Sequence, residues 1–95
     1  MSDKIHDLAS QSRAIATQFR LCHDIEGALA LVAMLEQVVA LMASLPPAQQ
    51  QLAAGLMRNA LACQERKDWL ALADDLSVEW QTFFTLAAQT AHPTA

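Results

Sequence analysis

The sequence predicts an all-α protein, an antiparallel bundle of three or four helices joined by short connections. Three observations carry this. The 95-residue chain is 54% hydrophobic but has only 2 Gly and 3 Pro and no Tyr. Such a composition, rich in Ala, Leu and Gln, favours helix and is poor in the residues that fit a pleated sheet. Apolar residues recur at steps of three and four in each long segment. The interruptions, at 22–27, 45–47 and 65–68, are short enough to make consecutive helices antiparallel neighbours. The length suits one domain, placed over residues 1–90, with a frayed tail at 91–95.

The first helix is expected over about 2–21. Ser2 is its N-cap, and Asp3 and Asp7 lie near the positive end of the helix dipole. Its apolar stripe is Ile5, Leu8, Ile15, Ala16, Phe19 and Cys22, with Ser12 in the same stripe. The stretch "CHDIEG" (22–27) combines a possible N-cap, Asp24, with a poor interior helix residue, Gly27, and so predicts a break. A kink within one long helix is the alternative.

The second helix, about 25–45, is the most apolar. Leu31, Val32, Met34, Leu35, Val38, Val39, Leu41, Met42 and Leu45 cover roughly half its cylinder, which is enough to touch two neighbours and predicts the central helix of the bundle. Pro46–Pro47 ends it, and Pro47 suits the first turn of a third helix, about 47–64, that presents Leu52, Leu56, Met57, Ala60, Leu61 and Cys63. Asp68 then caps a fourth helix starting at Trp69. Trp69, Ala73, Leu76, Trp80, Phe83 and Ala87 step by four and three, with Leu72 and Phe84 widening the stripe. Asp74, Asp75 and Gln81 fall on other faces, so the acidic residues read as a solvated side.

Charge and cysteine content exclude several functions. The net charge is −4, and the six basic residues, Lys4, Arg13, Arg20, Arg58, Arg66 and Lys67, are scattered. No basic patch exists to displace counterions, so direct nucleic-acid binding is not expected. The opening "MSDKIHDLAS" is polar, without an apolar leader core, and Cys22 and Cys63 read as reduced thiols. The expected location is the cytoplasm. Residues 28–45 approach the length of a membrane span, but Glu36 and Gln37 lie at the centre, where a charge costs about 3 kcal/mol. No membrane span is expected.

Catalytic constellations are missing from the sequence. Asp75 and Glu79 stand one helical turn apart, but no nucleophile, cation or phosphate-binding loop lies near them in the chain. Neither an enzyme nor a bound cofactor is expected. The alternative is a small metal-binding or enzymatic helical protein using Cys22, His23 and Cys63, although adjacent residues on a helix point about 100° apart.

The large apolar side chains carry more. Trp69, Trp80, Phe83 and Phe84 serve most simply as core. Their functional reading is that part of this stripe, with Met34, Met42 or Met57, lines a groove for another helix. Aromatic residues anchor interfaces, and methionine adapts to varied partners. The summed stripes exceed what three neighbours easily cover, and self-association or an amphipathic partner helix would relieve the excess.

The segment "KDWLALADDLSVEW" (67–80) resembles a turn-plus-helix pattern of short helical bacterial accessory proteins. Asp68, Trp69, Leu72, Ala73, Asp74, Leu76 and Glu79 stand in its places. By size, acidity and helical pattern the chain is also similar to the small chaperones of type III and flagellar export. The resemblance implies a helper rather than an enzyme, and no particular substrate. The expected function is therefore a non-catalytic adaptor or chaperone that binds an amphipathic helix, or a second copy of itself as a dimer. Glu36, Asp75 and Glu79 would form an acidic rim.

Overall fold

The computed structural model describes residues 2–91 and is all-α, as the sequence predicts. Five helices follow one another: α1 Ser2–Arg20, α2 Asp24–Met42, α3 Pro47–Glu65, α4 Trp69–Ser77 and α5 Glu79–Ala91. The expected tail at 91–95, with His92, lies outside the described residues except for Ala91, which ends α5.

Two of the three corners share one device. Helix α1 closes with Cys22 in the left-handed region (φ 62°), where the His23 amide donates to the Gln18 carbonyl at 2.9 Å and the Cys22 amide to Phe19 at 3.1 Å. Helix α3 closes the same way on Lys67 (φ 57°), with Asp68 donating to Cys63 at 2.9 Å and Lys67 to Gln64 at 3.0 Å. Both are Schellman caps built without glycine. The 22–27 break is real but shorter than the composition implies: α2 starts at Asp24, and Gly27 lies inside it. A Cβ on Gly27 would stand 2.9 Å from the Phe19 ring, so glycine is there for close helix packing rather than for a turn. The α2–α3 corner is closed by Gln50, whose amide nitrogen donates to the Met42 and Leu45 carbonyls, both at 2.9 Å. Asp68 caps α4, its Oδ1 accepting from the Ala71 amide at 3.2 Å.

The expected single fourth helix is interrupted at Val78, which separates α4 from α5. The Leu76 carbonyl at this interruption accepts from Ser12 Oγ at 2.7 Å and from Gln81 Nε2 at 3.3 Å. Side-chain donors inserted beside a helix ladder are a recognised cause of such breaks. Ser12 is the polar residue in the α1 stripe, and it is fully buried. Gln81 also donates to the Ala9 carbonyl at 2.9 Å and accepts from Arg13 Nη1 at 2.6 Å. This polar network fixes the register of α1 against the α4–α5 pair.

Helix α1, not α2, is central: it packs on α2, α4 and α5, whereas α2 packs mainly on α1 and less on α3. The α1 stripe reaches the core as the periodicity predicts, from Ile5 to Phe19, although Cys22 is exposed. Helix α3 departs from expectation. It turns Gln49, Ala53, Ala60 and Cys63 inward and leaves Leu52 and Leu61 exposed. Helix α3 packs on α4, α5 and α2.

Candidate functional site

The residues singled out for a partner groove lie mostly inside the protein. Met34, Trp80, Phe83 and Phe84 are fully buried in the core, and Met42, Met57 and Trp69 are partly buried against it. These side chains pack within the protein's own core, the simpler of the two readings that the sequence offered for the aromatic residues. Trp80, Phe83 and Phe84 pack on one another with ring centroids 5.4–5.8 Å apart. Trp69 stacks flat on Phe19 at 5.3 Å, covering the end of α1.

The uncovered apolar surface lies on α2. This helix carries two seams with the same four–three spacing, on opposite sides of its cylinder. Gly27, Leu31, Met34, Val38 and Leu41 form the inner seam and are buried. Ile25, Leu29, Val32, Glu36 and Val39 form the outer one. Ile25 is 75% exposed, Leu29 69%, Val32 48% and Val39 54%. Other exposed large side chains, such as Leu52, Leu70 and Leu86, stand on different helices. Scattered single residues of that kind are ordinary on a protein surface, whereas four on one helix face are not. Val32 and Val39, which belong to the wide apolar stripe of α2 in the sequence, thus stand at the surface with Ile25 and Leu29.

Helix α2 is also long and apolar enough to cross a membrane by length and composition, and 33% of its apolar window is buried within the protein.

The acidic cluster is less solvated than its sequence pattern implies. Asp74 and Glu79 are exposed, and Asp74 meets Arg20 at 3.3 Å across the surface. Asp75 is only 7% exposed because α4 packs against both α1 and α3, which widens its buried arc. Burial pushes the Asp75 carboxyl above its ordinary value of 3.8, and the neighbouring Glu79 charge adds to the rise. The Trp80 indole and the Asn59 amide oppose it, favouring the charged form. Neither Asp75 Oδ2 nor Trp80 Nε1 meets hydrogen-bond geometry with a protein partner, so the indole helps the carboxylate as a nearby dipole. An open groove of about 480 Å³ beside them is lined by Asn59, Cys63, Arg66, Asp75 and Glu79. It brings together three carboxylates, Asp74, Asp75 and Glu79, and one guanidinium, Arg66.

A second groove, of about 510 Å³, runs between α1 and α5 and is lined by His6, Ser10, Arg13, Gln81 and Thr85. Of its lining, Ser10, Arg13 and Gln81 are engaged in the network that holds the helices in register.

Cys22 is exposed at the α1–α2 corner and Cys63 is buried near the end of α3, both as free thiols. His23 Nδ1 lies 2.8 Å from Gln18 Oε1, and Arg66 reaches Cys63 Sγ at 3.6 Å. Among the described residues no three His, Cys, Asp or Glu side chains are grouped to hold a metal ion, so Cys22, His23 and Cys63 do not converge on one.

No protein-family model matches the chain, and neither a curated protein nor a solved structure is significantly similar to it.

Proposed function

We propose that the protein is a non-catalytic interaction module of the cytoplasm, a small adaptor or chaperone that engages an amphipathic helix through the outer seam of α2. The single observation behind this is the exposure of Ile25, Leu29, Val32 and Val39 along one face of α2. A large apolar side chain on a helix is ordinarily turned to the core, and on α2 such side chains lie on two faces of which the bundle covers one. The likeness of residues 67–80 to short helical accessory proteins is in keeping with a helper role. The aromatic residues act indirectly, by holding α4 and α5 against α1 and so keeping α2 on a rigid support.

The test compares the wild-type chain with a Leu29→Glu, Val32→Glu double variant as bait in the source cells. Both positions are exposed, so the variant is expected to melt within about 0.5 kcal/mol of the wild type. A partner retained by the wild type and lost by the variant is the expected result. Retention by both would move the interaction to another surface, and retention by neither would end the proposal.

A further inference from the structure

Glu36 interrupts the outer seam of α2, flanked along the same face by Val32 and Val39. It is not balanced within its helix. The charged residues of α2 are Asp24, Glu26 and Glu36, and the helix contains no Lys, Arg or His. Whatever covers the apolar line must therefore also cover a carboxylate that α2 cannot neutralise. Burying an uncompensated charge is strongly unfavourable, so the occupant is constrained by charge as well as by shape.

Three occupants respond differently to this constraint. A second copy pairing in parallel through this seam would set Glu36 against Glu36. An antiparallel copy centred on residue 34 would set each Glu36 against the other copy's Val32, again without a cation from either α2. A lipid surface would draw Glu36 toward hydrocarbon, and an anionic one would repel all three carboxylates of the helix. A cationic helix meets both needs: its aliphatic residues fill the four–three seam and its ammonium or guanidinium group satisfies Glu36.

We propose that the outer seam of α2 docks a cationic amphipathic helix of another protein, with a Lys or Arg side chain set against Glu36. The assignment rests on the interaction-module reading above and gives that module its class of partner. Helix α2 has 19 residues. The seam itself runs from Ile25 to Val39, which at about 1.5 Å per residue is about 22 Å, matching a partner helix of about four turns.

The experiment uses the full chain and two labelled synthetic helices with the same Leu/Ile seam. One carries Lys where it faces Glu36 and along its rim, and the other carries Glu there. Binding is followed by fluorescence anisotropy at low salt, with the mass of each mixture read by light scattering. The Lys helix is expected to bind one to one and about tenfold or more tighter than the Glu helix. Glu36→Lys should reverse that preference, and Leu29→Glu should weaken both helices without altering the melting curve. Equal binding of the two helices, or a preference that Glu36→Lys leaves unchanged, would overturn the charge assignment while leaving the α2 seam as an interaction surface. A chain that binds neither helix but forms a dimer that Leu29→Glu dissolves would make a second copy the occupant. That would also overturn the inference and keep the module. A chain that stays monomeric, binds neither helix and instead binds neutral phospholipid vesicles would overturn the inference and the module together, as would one that binds nothing.

Discussion

Trp80 on α5 and Leu29 on α2 hold equivalent places in four–three seams, yet Trp80 is fully buried and Leu29 is 69% exposed. The α4–α5 pair has one apolar face, which the bundle covers with α1 on one side and α3 on the other. Helix α2 has two such faces, and α1 and α3 cover only the inner one. Which face turns inward follows from two residues. Gly27 on the inner seam leaves room for the Phe19 ring, and Glu36 on the outer seam would be buried if the helix turned round. Periodicity sets the spacing of a seam, and local chemistry decides whether it turns to the core or to the surface.

The largest expected contrast comes from truncating the two apolar positions themselves. Trp80→Ala should cost about 3–5 kcal/mol in denaturant unfolding, as for a large side chain removed from a packed core. Leu29→Ala should stay within about 0.5 kcal/mol of the wild type. A Leu29→Ala cost of several kcal/mol would mean that α2 packs both faces in solution. Next comes Gly27→Ala. Replacing glycine inside a helix ordinarily helps by about 1 kcal/mol. Here the added methyl would stand 2.9 Å from Phe19, and the expected result is a net loss of about 1–3 kcal/mol on thermal unfolding. A stabilised Gly27→Ala would show that α1 and α2 are not held at this spacing.

Smaller effects test the supports on which the contrast depends. Lys67 holds a left-handed conformation that favours glycine, and Lys67→Gly should raise stability by about 1 kcal/mol, read from the shift in denaturant midpoint. The last test is one of sign. The Asp75 carboxyl is raised in the folded state, chiefly by burial, so the native protein holds that proton more tightly than the unfolded chain does. Asp75 therefore favours folding at low pH, and its contribution is lost as pH rises from 3.8 through the raised native value. Asp75→Asn should remove that part of the pH profile and leave the neutral-pH protein at least as stable. A variant destabilised at neutral pH would mean that the carboxylate is engaged in its charged form.

The sequence makes some of this legible and leaves the rest to packing. The α1 stripe and the run from Leu72 to Ala87 read directly as core, because each helix has one apolar face and therefore no choice to make. The Val78 interruption was hidden because its associated donors come from elsewhere: Ser12 lies 64 residues away and Gln81 acts through its side chain. The inward turn of Asp75 was hidden for a similar reason, since it depends on α3 lying against α4. Bulk alone does not tell core from surface in this chain. Trp80, Phe83 and Phe84 form the base of the bundle's packing, while smaller aliphatic residues on the opposite side of α2 remain uncovered.

The most direct test of where this protein meets a partner is amide and indole chemical-shift mapping by NMR as the Lys-bearing helix is titrated into the full chain. If α2 presents a ready-made outer seam, the shifts will centre on residues 25–40, and the Trp80 indole signal will stay where it is in the free protein. Shifts centred on Trp69, Trp80 and the α4–α5 pair, with residues 25–40 unmoved, would mean that the core opens to form the site. That result would contradict the division of labour between the two regions.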